Sequence, residues 1–514
     1  MLGFVVRRLA ATVVVLLVAS FIVYILTAMS GDPLADLRAA GTRDAQVKID
    51  RLTEVLNLDV PPALRYFIWL GGAAGCLIGQ CNLGISIAQG EQPVIDALAT
   101  AMGSTLQLVT LATILAIIVG ITIGMTTALR QYSGYDYTVT FFAFVFYSLP
   151  IFWVAVLLKE FGAIRFNQFL EDPVIPPVTT ALIALGLAFI VAGIVGGGLK
   201  TRIRVFLISL VLSGAVLTVS TLTQWLKNPS IGIFGVILLT AGLAAIVTLL
   251  NRGLDDKKAV MTAGVVTVLV AALWYPFQFL FFFVNNPLSI LIAVFVLGGL
   301  GYLAGFFLGG DDKKEISRMG AMIGSLSVIV LILDQMLMRF EEYTAAINLK
   351  AGFISTIGAV TPSLAKSDDM WLRMLDSFGH LILPTIALMI ISVAGYTRYA
   401  RSSLLEVLNQ DYIRTARAKG LPERAVIMRH AFRNAMIPIA TIITFDIAGL
   451  IGGAIITERV FAWQGMGALF SNGLSHVDVN LVMGFFLVTG AIAVVFNIVA
   501  DLLYSALDPR IRVS

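Results

Sequence analysis

Residues 9–29 read LAATVVVLLVASFIVYILTAM, an apolar stretch about as long as the 20 residues that a helix needs to cross a bilayer. Arg7 and Arg8 precede it, as in a secretory signal peptide. The stretch is longer than a typical signal core, however, and no convincing small-residue cleavage site follows it. We therefore interpret it as an uncleaved first transmembrane helix with its N-terminus in the cytoplasm.

Similar apolar runs recur along the whole chain, which is 58% hydrophobic and only 13% charged. The lipid interior offers no hydrogen-bond partner to the backbone, so such runs cross it as helices. The sequence therefore predicts an all-α polytopic membrane protein. Twelve spans are expected, near 9–29, 104–129, 138–158, 178–199, 203–223, 231–250, 259–283, 288–308, 319–338, 379–397, 436–457 and 481–504.

The basic residues of the short connections all fall on one side of the membrane if both termini are cytoplasmic. Positive charge marks cytoplasmic loops, so it explains the net charge of +4 without nucleic acid as a partner. Two long segments, 31–103 and 341–378, are then extracytoplasmic. Pro150 is expected to kink the third span.

The middle of the chain repeats with a period of 56 to 58 residues, because Asp172-Pro173, Asn228-Pro229 and Asn286-Pro287 each precede an apolar run. The tetrapeptide Asp-Asp-Lys-Lys occurs at 255–258 and again at 311–314. Residues 161–340 are therefore predicted to be an insert of three membrane hairpins. A true duplication and a plain series of helical hairpins both explain the period.

Residues 411–438, DYIRTARAKGLPERAVIMRHAFRNAMIP, form a basic segment between two predicted spans. Asp411 suits a helix N-cap, and Gly420 suits the left-handed residue after a helix end. A second helix is expected from Pro422, with Glu423 in its first turn. The segment predicts a short helix–turn–helix on the membrane surface.

Several ordered motifs outside the insert resemble those of the inner-membrane permease subunits of ABC dipeptide and oligopeptide importers. The resemblance covers roughly 1–160 and 375–514. It is carried by Gly31-Asp32-Pro33, Leu56-Asn57-Leu58-Asp59 with Pro61, Arg65, Tyr66 and Trp69, Leu83-Gly84-Ile85-Ser86, His380-Leu381-Ile382-Leu383-Pro384, Glu458-Arg459-Val460-Phe461 with Trp463, Gly465, Gly467 and Leu469, Asp501-Leu502-Leu503-Tyr504 and Leu507-Asp508-Pro509-Arg510-Ile511-Arg512.

The resemblance implies a six-span permease core with about six inserted spans. The predicted organisation is a first span in 1–30, an extracytoplasmic loop in 31–103, core spans two and three in 104–160, inserted hairpins in 161–340, an extracytoplasmic segment in 341–378, and core spans four to six in 379–514 with a cytoplasmic loop at 398–435.

In such permeases the cytoplasmic loop carries a coupling helix that sits in a groove of an ATPase subunit. Mapped on this sequence, the loop's triplet is Arg414-Thr415-Ala416 and its glycine is Gly420. The acidic first residue of the family pattern is absent, and Arg433-Asn434 stands near its usual Leu-Pro. The expected coupling residues are therefore Asp411, Arg414, Thr415, Ala416, Gly420 and Pro422.

The resemblance also implies partners: two cytoplasmic ABC ATPases that use ATP and Mg²⁺, an extracytoplasmic substrate-binding protein, and a second permease. A different sister permease is favoured over a second copy of this chain. The location would be a bacterial inner or plasma membrane. Di- or oligopeptides are the default solute, while relatives that carry nickel, glutathione or glycosides remain alternatives.

Cys76 and Cys81, the only cysteines, fall in the first extracytoplasmic loop. An oxidising compartment favours a disulfide between them, and two buried thiols are the alternative. Asp446 lies about ten residues into the eleventh span, at a depth where a carboxylate usually faces a cavity or a partner. It is a candidate for the solute pathway or for a structural hydrogen bond between spans.

Gly120 and Gly124, and Gly449 and Gly453, are spaced for close helix packing within the chain or against a second permease. No Gly-x-x-x-x-Gly-Lys-Ser/Thr pattern for binding ATP occurs, and the three histidines are scattered. No catalytic residue, cofactor or metal is therefore assigned. A self-sufficient twelve-span secondary transporter and a membrane scaffold are the competing functions.

Overall fold

The computed structural model describes residues 2–347 and 352–507, without the side chains of 2–9, 11, 448, 450–453 and 500–507. Most of this is helix, so the predicted all-α polytopic fold is confirmed. The described strands are one short antiparallel pair, β1 (Ile85–Ser86) with β2 (Gln92–Pro93). Helix is expected, because it satisfies the backbone of an apolar segment internally.

The chain divides into two compact units. The first contains the stretch up to Gly162, Thr356–Ala359 and the stretch from Leu381 onward. Its helices before the insert are α1 (Leu2–Met29), α2 (Ala35–Ala40), α3 (Arg43–Val55), α4 (Pro62–Ala74), α5 (Val94–Leu129), α6 (Gly134–Ser148) and α7 (Ile151–Leu157), with a 3-10 turn at Gly75–Ile78 and a π-helical turn at Leu158–Ile164.

The second unit contains Ala163–Ser355 and Val360–His380. Its helices are α8 (Arg165–Glu171), α9 (Pro177–Val195), α10 (Leu199–Leu222), α11 (Gly232–Asn251), α12 (Lys257–Phe283), α13 (Pro287–Leu308), α14 (Lys313–Met338) and α15 (Phe340–Ala346), with a 3-10 turn at Gly310–Asp312.

One long helix, α16 (Met370–Leu408), has its first residues in the second unit and its remainder in the first. The first unit then continues with α17 (Asp411–Ala418), α18 (Glu423–Ala425), a π-helical turn (Val426–Ala431), α19 (Phe432–Gly453), α20 (Ile455–Val460), α21 (Met466–Ser475) and α22 (Val479–Leu507).

Within the described ranges, ten helices are long and apolar enough to cross a membrane, or eleven if one bent pair is counted as a span. The chain is thus a multi-pass membrane protein, with fewer qualifying spans than the twelve predicted. The remaining predicted span, 436–457, coincides with α19, where several side chains lie outside the description. Two helices also begin earlier than expected: α5 at Val94 and α16 at Met370.

The bent pair is the predicted third span, and its bend is larger than a kink. The segments Gly134–Ser148 and Ile151–Glu171 meet at 101°. Leu149 is extended, at φ −75° and ψ 129°, because the ring of Pro150 crowds a helical residue before it. Pro150 also lacks an N–H to continue the ladder, so the span breaks here.

The insert contains three antiparallel helix pairs, α9–α10, α11–α12 and α13–α14, as the repeat predicted. The tightest is α13–α14, where a Cβ on Gly301 or Gly320 would collide with the other helix's backbone. Asp334 on α14 is 2% exposed and accepts hydrogen bonds from Gly232 N (2.9 Å) and Trp274 Nε1 (2.6 Å). Its role is to bind α11 and α12 to α14.

The glycine pair of α5 packs against α16. A Cβ on Gly120 would lie 2.8 Å from Cβ of Tyr396, and one on Gly124 would lie 2.7 Å from Cβ of Ala400. Thr397 Oγ1 also donates to the carbonyl of Gly120, at 3.2 Å. These glycines therefore serve packing within the chain. Gly449 has no atom within 4 Å of a virtual Cβ, and the side-chain position of Gly453 is outside the description.

Candidate functional site

The basic segment after α16 forms the predicted helix–turn–helix, with two changes at its helix starts. Gln410, not Asp411, is the N-cap of α17, and Asp411 is the first helical residue. An acidic side chain there still complements the helix N-terminus. Gly420 has φ +73° and its N–H bonds the carbonyl of Arg417, so it ends the helix as predicted. Pro422 is the N-cap of α18, just before the expected start.

An ion pair bridges the two sides of this turn. Arg417 Nη2 lies 2.7 Å from Glu423 Oε1, and Arg417 Nε lies 3.2 Å from Glu423 Oε2. The guanidinium holds the pKa of the Glu423 carboxyl below its usual range. Because both side chains are exposed, the pair contributes geometry more than stability.

One face of α17 packs on the chain itself. Ile413 is fully buried and Ala416 is 6% exposed, among Ala128 of α5, Leu404 of α16 and Val426. Ala416, which the mapped triplet placed among the expected coupling residues, therefore faces the interior of the chain and not the exposed side of the helix. Its spacing of three residues from Ile413 puts both side chains on one face of the helix.

The other face of α17 is exposed, and it carries the remaining predicted residues. Asp411, Arg414 and Thr415 are exposed there, as are Gly420 and Pro422 in the turn. Tyr412 is 42% exposed, and its hydroxyl accepts a hydrogen bond from Asn434 Nδ2 at 2.9 Å. α17 thus has an exposed face with cationic and aromatic side chains, while its opposite face is packed on α5 and α16.

An ion pair that the sequence analysis missed joins α16, on which α17 packs, to α6. Arg401 of α16 makes two hydrogen bonds to Asp136 of α6, at 2.8 Å and 3.0 Å. Asp136 is 2% exposed and also accepts from Tyr132 N at 3.0 Å. The guanidinium of Arg398 lies 4.3 Å from the ring centroid of Tyr147. The α5–α6 corner is therefore tied to the end of α16 that leads into α17.

The opposite end of α5 belongs to the predicted extracytoplasmic region. With 36 residues at 1.5 Å each, α5 is about 54 Å long, which exceeds the hydrocarbon thickness of about 30 Å. Ala128 packs on α17 at one end, and Val94 packs with Leu83 and Tyr24 at the other. α17 and the first-loop region thus lie at opposite ends of α5, a helix long enough to cross a membrane.

At that end, Glu458 is a fully buried carboxylate in one of the resemblance motifs. It accepts hydrogen bonds from Thr105 Oγ1 (2.9 Å) and Ala468 N (2.8 Å), and burial raises its pKa. Gly465 packs directly on the Glu458 carboxyl, so no side chain fits there. Trp463 Nε1 donates to the carbonyl of Ser104 at 3.1 Å. The motif is a compact support between α20, α21 and α5.

Asp478 connects the first segment predicted to be extracytoplasmic, 31–103, to α22. This 2% exposed carboxylate accepts from Ser86 Oγ (2.6 Å), Ala88 N (3.1 Å) and Leu481 N (3.1 Å). A disulfide joins Cys76 and Cys81 within the same segment. The segment is therefore an ordered platform rather than a linker.

The family model described as the inner membrane component of binding-protein-dependent transport systems matches residues 116–513. The model of that component's N-terminal part matches residues 1–109. The chain belongs to this permease family. Both matches lie on the elements described above, and the first one runs through the insert.

Similar curated members of this permease family are peptide permeases by name. The oligopeptide transport system permease protein OppB of Mycobacterium tuberculosis is 43% identical over 157 residues, 30% of this chain and 48% of the relative. The oligopeptide permease AppB of Bacillus subtilis is 44% identical over 140 residues, 27% and 44% of the two chains. The dipeptide permease DppB of Escherichia coli is 46% identical over 140 residues, 27% and 41%. The chain spans less than half the length of these relatives.

Asp446, the predicted pathway residue of this permease, lies on α19 beside Tyr396 of α16. Both interpretations of Asp446, as a pathway residue and as a link between spans, stay open, since Tyr396 supplies a neighbouring hydroxyl. The described residues contain no group of three or more His, Cys, Asp or Glu side chains that could hold a metal ion.

Proposed function

We propose that the chain is the transmembrane permease subunit of an ATP-driven, binding-protein-dependent importer of di- or oligopeptides. The observation that carries the proposal is the anchored helix α17. Its Ile413 and Ala416 face is packed on α5 and α16, while Tyr412, Arg414 and Thr415 are exposed. A motion of that helix is therefore transmitted to two long membrane helices.

The partners follow from this geometry and from the family. Two cytoplasmic ATPases bind and hydrolyse ATP with Mg²⁺, and one of them receives α17 in an acidic groove that complements Arg414 and Lys419. A sister permease supplies the second coupling helix, and an extracytoplasmic binding protein delivers the solute to the platform around Asp478. This chain itself holds no nucleotide and catalyses no reaction. Both of its termini are cytoplasmic.

The peptide substrate is inferred from the relatives, whose printed names are oligopeptide and dipeptide permeases. Nickel, glutathione and glycosides are the alternatives. An exposed helix that is packed on α5 and α16 suits contact with a separate ATPase subunit. This favours the importer over a self-sufficient secondary transporter.

The test is to solubilise the tagged chain gently, identify what co-purifies, and measure uptake of a radiolabelled dipeptide into vesicles. ATPase subunits should co-purify, and uptake should require ATP on the side of α17 and the binding protein on the other side. Uptake by the chain alone, without ATP, would instead identify a secondary transporter. If ATP drives uptake of a glycoside or nickel but of no peptide, the importer proposal stands and only the proposed solute is wrong.

A further inference from the structure

The first hairpin of the insert, α9–α10, leaves most of its apolar surface uncovered. The two helices pack on each other through small residues, since a Cβ on Gly214 would lie 3.9 Å from Cβ of the buried Ala184. Beyond that contact, α10 has no buried residue among Leu199–Leu222, all of which the structure describes. Large side chains such as Val211 and Leu222 are 70% and 79% exposed. The described chain thus supplies no cover for this face.

The hydroxyl groups of α10 bond to the helix itself. Ser213 Oγ donates to the carbonyl of Ser209 at 2.6 Å, and Thr218 Oγ1 donates to the carbonyl of Gly214 at 2.8 Å. Transmembrane helices associate through small residues and through hydrogen bonds between helices. Because the exposed side chains of α10 are large and its hydroxyls are already bonded, its free face suits lipid chains better than a second helix.

The two ends of α10 carry residues typical of membrane surfaces. Its 24 residues at 1.5 Å each give a length of about 36 Å, enough to cross about 30 Å of hydrocarbon. Lys200, Arg202 and Arg204 are exposed at its first end, and the exposed Trp225 follows its other end. Basic side chains and tryptophan are enriched next to the lipid headgroups. The three cations, here called the α10 basic cluster, are therefore placed at headgroup level.

The α10 basic cluster lacks the acidic neighbours that the other hairpin loops of the insert have. No Asp or Glu occurs from 173 to 254, and the described residues offer the cluster no carboxylate within ion-pair distance. In the α11–α12 loop, by contrast, Arg252 pairs with Asp256, Asp312 and Glu315. Cations in the first turns of a helix also oppose its dipole, and like charges four residues apart repel. An external anion at the cluster relieves both effects.

We propose that the α9–α10 hairpin binds anionic phospholipid, with the α10 basic cluster holding the phosphate headgroup and the free face of α10 contacting the acyl chains. Basic clusters beside a membrane helix attract anionic lipids, and each cation near the surface adds to the attraction. The loop around Arg252 has its charge matched within the chain, so it should show no such preference. The proposal does not depend on the solute that the permease carries.

The test uses the full-length chain in dioleoylphosphatidylcholine vesicles, with a bimane fluorophore on Leu207→Cys. Leu207 is 52% exposed and lies about 10 Å beyond Lys200 along α10. Part of the lipid is replaced by phosphatidylglycerol or phosphatidylcholine with dibrominated chains, because bromine quenches the fluorophore only when the lipid contacts it. The quenching should correspond to a local preference for phosphatidylglycerol of at least about threefold.

The matched position is Ile246→Cys, labelled in the same way. Ile246 is 60% exposed on α11 and lies about 9 Å before Arg252, so it samples a similar depth beside the charge-matched loop. The preference there should be close to one. This comparison leaves the α10 basic cluster unchanged, so it stands even if variants of the cluster fail to fold. Equal preference at the two positions would overturn the proposal.

Replacing the whole α10 basic cluster, by Lys200→Gln, Arg202→Gln and Arg204→Gln, should bring the preference at the label on Leu207→Cys to about one. The control removes three exposed cations from the other two hairpin loops, by Lys257→Gln, Lys258→Gln and Lys314→Gln, and should leave that preference unchanged. A preference that survives loss of the cluster would contradict the proposal. Quenching at Ile246 but by neither lipid at Leu207 would show that protein covers α10, and the proposal would then be wrong as well.

Discussion

Removing the guanidinium of Arg401 should destabilise the first unit more than any surface arginine does. The side chain of Asp136 is 3% exposed and that of Arg401 is 29% exposed, and they share two hydrogen bonds. Breaking a fully buried pair costs about 3–5 kcal/mol, because one charge stays behind without its partner. In Arg401→Ala, Asp136 keeps the Tyr132 N–H and the Thr140 hydroxyl, at 3.0 Å and 3.3 Å, so we expect a loss of about 2–3 kcal/mol.

Asp136→Ala should cost less, about 1–2 kcal/mol, since the freed Arg401 can reach water. The double variant should lose less than the sum of the two single losses, by about 1.5 kcal/mol or more. The assay is thermal unfolding in detergent, with Arg433→Ala as the control. Arg433 is an exposed arginine at the start of α19, and its removal should change stability by no more than about 0.5 kcal/mol.

Two results would refute this reasoning. One is an Arg401→Ala protein as stable as the Arg433→Ala control, which would show that the pair is not formed. The other is strict additivity in the double variant, which would show that the two side chains act independently. The link from the α5–α6 corner to α17 would then have to rest on packing alone.

Three further perturbations test other parts of the fold by thermal unfolding. Gly124→Leu should lower the free energy of unfolding by about 1–3 kcal/mol, because the new side chain overpacks α5 against α16. Gly103→Leu, on the exposed side of α5, is the control and should leave stability nearly unchanged. Equal effects of the two substitutions would show that Gly124 has no packing role. Reducing the Cys76–Cys81 disulfide should lower the free energy of unfolding by about 2 kcal/mol. If dithiothreitol leaves the unfolding temperature unchanged, the bridge does not contribute to stability. Burial raises the pKa of Glu458 above its ordinary value of 4.5, so the folded state binds this proton more tightly than the unfolded state and stability should fall as pH rises above 4.5. Glu458→Gln should make stability less dependent on pH in this range. An unchanged pH dependence in the variant would contradict the assignment.

The sequence was informative wherever a local rule acts alone. Apolar length located the helices, Asx-Pro turns and the basic loops located the hairpins of the insert, and Pro150 located the break in the third span. Gly420 marked the end of α17 because a left-handed residue is needed there. These signals depend on a few neighbouring residues, which a single sequence displays.

The features that the sequence did not predict depend on tertiary packing. Asp136 and Arg401 are 265 positions apart, and no local pattern announces that they pair. Ala416 is expected among the coupling residues because it falls in the mapped triplet, while its burial against α5 and α16 depends on where those helices end. The start of α5 at Val94 was missed because hydropathy reports the apolar part of a helix and not its continuation into the preceding, more polar loop segment.

The central claim is that the outer face of α17 contacts an ATPase, and one cross-linking measurement tests it most directly. Cys76 and Cys81 are joined in a disulfide, so a cysteine introduced at Thr415 is a unique free thiol that can carry a photoactivatable maleimide. Thr415→Cys should cross-link an ATPase subunit in gently solubilised membranes. Ala416→Cys, one residue away on the buried face, should give little or no product. Equal cross-linking of both positions, or cross-linking of neither while ATP-dependent uptake persists, would contradict the account.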